Sequence, residues 1–130
     1  MLKKHLGIGI SIGGILLLVG LAFQVTSSGA STDLCINTPY EEFYSPSAHS
    51  KAVVFERSCG ATTGFSTHIS IVNATQPLEG AGNVYIASGQ PAEAALQLHW
   101  QSDNQLVIGH SQEHAFLKQT QLAGVNIRYP

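Results

Sequence analysis

Charge is sparse in this 130-residue chain, and basic charge most of all: six lysines and arginines stand against eight acids. Two of the six, Lys3 and Lys4, fall within the first turn's length of the N-terminus. From Ser31 onward only Lys51, Arg57, Lys118 and Arg128 remain, facing Asp33, Glu41, Glu42, Glu56, Glu79, Glu93, Asp103 and Glu113, a net of about −4. With neither a basic stripe nor a repeated aromatic platform, the composition argues against nucleic acid as a partner. Helical spacing of apolar residues is nearly absent too, and there is no GxGxxG or Walker pattern, internal repeat or low-complexity tract. Cysteine occurs only twice, so at most one internal bridge is available.

One long apolar run is present, LGIGISIGGILLLVGLAF from Leu6 to Phe23, preceded by Lys3 and Lys4. At about 18 residues it sits near the lower limit for crossing a bilayer and exceeds the roughly 7 to 15 residues of a signal peptide's apolar region. Length favours an uncleaved single-pass membrane helix that leaves the C-terminal domain outside the cytoplasm. Gly7, Gly9, Gly13 and Gly14 weaken the run, and Ser28-Gly29-Ala30 has the small-x-small form that signal peptidase accepts, so a secreted or periplasmic product cleaved near Ala30 is the alternative. A lipoprotein reading fails, because Thr32-Asp33-Leu34 rather than small residues precede Cys35. The chain therefore divides into a signal-anchor or signal peptide over 1–30, a Ser-, Pro- and acid-rich linker over 31–49, and an extracytoplasmic β domain over 50–130.

Period-two alternation dominates that last part. KAVVFER, Lys51 to Arg57, is apolar on both faces as a central strand is, whereas THISIV, Thr67 to Val72, alternates with Ile69 and Ile71 inward and His68 and Ser70 outward. Asn73 to Asn83 holds Pro77, Gly80 and Gly82 and reads as a loop before a short strand, Val84 to Ala87. Ala95 to Gln101 and Leu106 to His110 flank Ser102-Asp103-Asn104 as a hairpin, with Leu96, Leu98 and Trp100 on one side. Ala115 to Lys118 and Val125 to Tyr129 read as a closing pair around Ala123-Gly124, and Pro91 to Leu98 supports one helical turn at most. The expected fold is all-β: a small antiparallel meander, sandwich or partly open barrel of six or seven strands, behind one N-terminal hydrophobic helix.

Candidate functional residues gather in SCGATTGFSTHIS, Ser58 to Ser70. Cys35 and Cys59 lie beyond the leader, where thiols oxidise, and a bridge between them would close a loop of about 25 residues. Gly60 and Gly64 bracket Ala61-Thr62-Thr63 in a composition that permits positive φ, so Gly60, Thr62, Thr63, Gly64, Ser66 and His68 form the candidate binding loop. The alternative is a plain strand connection in which the threonines cap their own backbone. A Cys59 nucleophile with His68 as base would make an envelope hydrolase, but no residue is marked to orient His68. His110 and His114, four apart, are weak candidates for a metal only if their segment is helical; no cofactor is expected. Asn73-Ala74-Thr75 matches a glycosylation sequon, which matters only in a eukaryotic secretory pathway.

The run Lys51 to His68 centred on CGATTGFST, with Ser45-Pro46 before it and Gly82-Asn83-Val84-Tyr85 and Leu98-His99-Trp100 after it, resembles a family of small bacterial membrane-anchored or exported envelope proteins of unknown function. The resemblance spans about Ser45 to Tyr129 and implies a bacterial source and a recurrent use of this loop, but no established catalytic residue. Together these readings point to a noncatalytic interaction or ligand-binding β domain, attached to the membrane through its N-terminal helix, with another envelope protein or a small ligand as partner. The competing classes are the hydrolase above and an inhibitor or immunity-type protein that blocks a partner with this loop.

Overall fold

The computed structural model describes residues 34–130, so the leader and hydrophobic helix expected over 1–30 lie outside the described residues. Nine strands appear among them: β1 (Ile36–Tyr44), β2 (Ser50–Ser58), β3 (Phe65–Asn73), β4 (Tyr85–Ser88), β5 (Gln97–Ser102), β6 (Gln105–Gly109), β7 (Leu117–Lys118), β8 (Gln121–Leu122) and β9 (Val125–Arg128). One helical turn, α1 (Pro91–Ala94), precedes β5. The first sheet runs β1-β2-β3-β4-β7 and the second β5-β6-β9-β8; neighbours are antiparallel except β6 and β9, which are parallel.

Apolar alternation places the core between the two sheets. Ala52 and Val54 of β2, Ile69 and Ile71 of β3, and Tyr85 and Ala87 of β4 meet Leu98, Trp100, Leu106, Ile108, Val125 and Ile127 of the second sheet in one buried cluster. Each large side chain buried there contributes on the order of 1.5–3 kcal/mol. The Trp100 indole N–H donates to the Phe43 carbonyl at 2.9 Å, which fastens the second sheet to edge strand β1. Near the chain's other turns, the Ser47 N–H donates to Asp103 Oδ1 at 2.9 Å, joining the β1–β2 turn to the β5–β6 turn and holding the Asp103 carboxyl below its ordinary pKa.

The central strands bury both faces. Val53 and Phe55 of β2 stand opposite Ser70 and His68 of β3 on the side away from the second sheet, and all four are buried. The 74–83 loop closes over this side. Its Gly82 N–H donates to His68 Nδ1 and its Gly80 carbonyl accepts from the Asn37 amide. A Cβ on Gly82 would sit 2.9 Å from the Tyr85 carbonyl oxygen and 3.0 Å from His68 Cβ, so only glycine allows the loop this close. Asn83 completes the closure: its Nδ2–H donates to the Ile71 carbonyl and its Oδ1 accepts the Ile71 N–H, a side-chain amide extending the β3 ladder just before β4 begins.

Four expectations need correction. The 31–49 segment is not all linker, for it contains the nine-residue β1. As an edge strand with most side chains in solvent, β1 has no buried stripe to reveal it, and the bulge between Pro39 and Glu41 breaks what alternation there is. The strands number nine rather than six or seven, because β7 and β8 have two residues each and show no period. The closing pair is divided: β9 pairs with β8 around Ala123-Gly124, while β7 joins β4 in the first sheet. His68 and Ser70 point outward from the main core as the alternation requires, yet both are buried, since outward in this sheet means under the 74–83 loop.

Candidate functional site

Strands β2 and β3 end at the pair Ser58 and Phe65, and the six residues between them turn the chain. Gly60 (φ 134°) and Gly64 (φ 71°) occupy left-handed backbone that a side chain resists. Within the turn the Thr63 N–H and hydroxyl both donate to the Gly60 carbonyl, at 3.3 and 3.1 Å. Thr63 therefore caps its own backbone.

A disulfide joins Cys35 to Cys59. The register explains it: Ile36 pairs with Ser58, which puts Cys35 directly across from Cys59 as the next pair outward. Their Cα atoms are 3.9 Å apart, on adjoining antiparallel strands whose closest pairs lie at about 4.5 Å. The bridge locks the open end of the β1–β2 hairpin against the β2–β3 turn. Around it lies a groove of about 270 Å³ lined by Leu34, Ile36, Ser58, Gly60, Ala61, Gly64 and Phe65. Leu34, Ile36 and Phe65 are 82 %, 68 % and 48 % exposed, which makes this end an apolar patch rather than a scatter of single residues.

His68 belongs to a different environment. Its Nδ1 accepts the Gly82 N–H at 2.9 Å, so the ring proton sits on Nε2 and donates to Ser66 Oγ at 2.7 Å; Ser66 in turn donates to the Arg57 carbonyl. The ring lies 5.2 Å from that of Phe55. Burial, helped by the positive charge of Arg57, lowers its pKa to about 4. The Arg57 guanidinium donates to Asn37 Oδ1 at 2.7 Å, and the Asn37 amide reaches Gly80, so the network runs from β1 across the sheet to the covering loop.

The six candidate loop residues thus separate. Gly60, Thr62, Thr63 and Gly64 form the exposed turn, whereas Ser66 and His68 lie along the strand, in the covered network. Cys59 and His68 are not brought together as nucleophile and base: the sulfur is bonded to Cys35, and both ring nitrogens are occupied. His110 and His114 are exposed and follow one another through a bend and a turn, so the helical spacing that would align them does not exist. Among the described residues no group of three His, Cys, Asp or Glu side chains converges. The apolar rim of Leu34 and Ile36 escaped the sequence reading because both fall in the segment taken for linker; Phe65, placed straight after Gly64, was the available signal. Comparison with protein-family models, with curated proteins and with solved structures finds no match to this chain.

Proposed function

We propose that the chain is a noncatalytic interaction domain of the cell envelope, held at or carried across the membrane by its N-terminal segment, and that its disulfide-closed end receives an apolar group of another envelope component. The observation that carries this reading is the coincidence, at one end of the first sheet, of the Cys35–Cys59 bridge with the exposed Leu34, Ile36 and Phe65 around a groove. A bridge favours an oxidising compartment. An exposed apolar patch rimmed by polar residues favours a contact surface, and the bridge together with the Thr63–Gly60 bonds ties down the turn beside it.

The test is a photo-crosslinking residue placed at Phe65 in the full chain within intact envelopes, with His49, exposed in the β1–β2 turn, as control position. Adducts from position 65 and none from position 49 are expected; equal yields, or none from either, would remove the apolar end as the contact surface. Alkylation of the same preparation reads the thiols, and free Cys59 would return the hydrolase class to consideration.

A further inference from the structure

A second groove, of about 320 Å³, opens on the outer face of the second sheet, where Gln101, Gln105, Val107, Asn126 and Arg128 line it beside Leu106 and Ile127. The strands place these residues deliberately. Leu106 and Ile108 of β6 and Val125 and Ile127 of β9 face the core, so Gln105, Val107, Asn126 and Arg128 face away from it. In the parallel β6–β9 register Gln105 lies beside Asn126 and Val107 beside Arg128, giving a row of amides next to an aliphatic step and a guanidinium. None of the Gln101, Gln105, Asn126 and Arg128 side chains has a hydrogen-bond or ion-pair partner among the described residues.

From this arrangement we infer a binding site for a small ligand that carries one carboxylate flanked by neutral hydroxyl or amide groups. Among the described residues Arg128 is the only charged one lining the groove, and its planar fork matches a carboxylate in a two-pronged contact. The three amides each offer donors and an acceptor, which suits neutral hydrogen-bonding groups and leaves no counter-charge for a cation. The surrounding domain, with eight acids and four bases from Ser31 onward, repels a polyanion, so a single negative charge is the best fit. The volume lies at the small end of the range for small-molecule sites, roughly 300 to 1,000 Å³. A sugar acid and a short peptide with a free C-terminus share this chemistry. The site is remote in sequence from the disulfide-closed end and does not depend on it.

Nuclear magnetic resonance on the full chain in detergent micelles would test the assignment, following the side-chain amide signals of Gln101, Gln105 and Asn126. The probes are a disaccharide with one uronic acid and N-acetyl-glycyl-alanine, each beside its uncharged counterpart, the neutral disaccharide and the dipeptide amide. At least one acid should shift these signals in a saturable way, with the uncharged counterpart weaker by roughly tenfold or more, and the arm that responds identifies the source. Arg128→Gln should weaken binding by a similar factor with the backbone spectrum otherwise retained, while Phe65→Ala should leave it unchanged. Silence from both acids at millimolar concentration, equal binding of the uncharged counterparts, or full binding by Arg128→Gln would each overturn the site.

Discussion

The two outer faces of this molecule carry similar polar side chains and use them in opposite ways. On the first sheet Asn37, Arg57, Ser66 and His68 bond to one another or to backbone groups, and Asn83 of the covering loop bonds to the Ile71 backbone, on the side where Phe55 and Val53 are buried. On the second sheet the side chains of Gln101, Gln105, Asn126 and Arg128 are left unpaired among the described residues, with only their backbone engaged in the sheet. A polar residue pointing away from a core is thus structural where another part of the chain lies over it and available where nothing does. Substitutions should therefore be costly on one face and almost silent on the other.

Phe55→Ala should have the largest effect. It empties a fully buried position beneath the loop and should lower stability by about 3–5 kcal/mol, measured by denaturant unfolding. A loss below about 1 kcal/mol would mean that the loop does not seal the face. Next comes the bridge: Cys35→Ser and Cys59→Ser should each cost roughly 3 kcal/mol by the chain-entropy argument, and the double substitution little more than either alone. Unequal single effects would point to separate roles.

Acid should act on the covered face through His68. Its pKa is lowered from the ordinary 6.5 to about 4, so between those values the unfolded chain binds a proton that the folded chain refuses. The associated stability is complete above about pH 6.5 and declines as pH falls toward 4. Unfolding free energy measured across that window should therefore fall, and His68→Gln should flatten this part of the profile. The smallest expected effect lies on the bare face, where Gln105→Ala should change stability by no more than about 0.5 kcal/mol in the same assay. A loss comparable to that of Phe55→Ala would abolish the distinction between the faces.

The legible parts of the sequence were those where burial imposes a pattern. KAVVFER, the alternation through Trp100 and the 102–104 turn marked β2, β5 and β6 because packing on a core dictates side-chain period. The pairing of Cys35 with Cys59 was open to simple counting. What escaped was determined by long-range neighbours. Edge strand β1 is recognisable only through its partner β2, and two-residue β7 and β8 exist because β4 and β9 offer backbone groups to bind. His68 read correctly as outward but not as buried, because period two reports which face a residue takes, not whether a loop 14 residues later returns to cover that face. The apolar rim was hidden for the same reason: Leu34 and Phe65 are neighbours only once the hairpins have formed.

The position of the sulfur bridge also decides how the domain would bear a mechanical load. Tension arriving along the polypeptide from residues 1–33 enters at Leu34 and reaches Cys35 before it reaches any β1 hydrogen bond. The covalent link diverts that tension into Cys59 at the end of β2, a strand paired on both sides. Edge strand β1 is thereby spared from being unzipped one bond at a time, and the domain resists traction from its N-terminal side through its most firmly embedded strands.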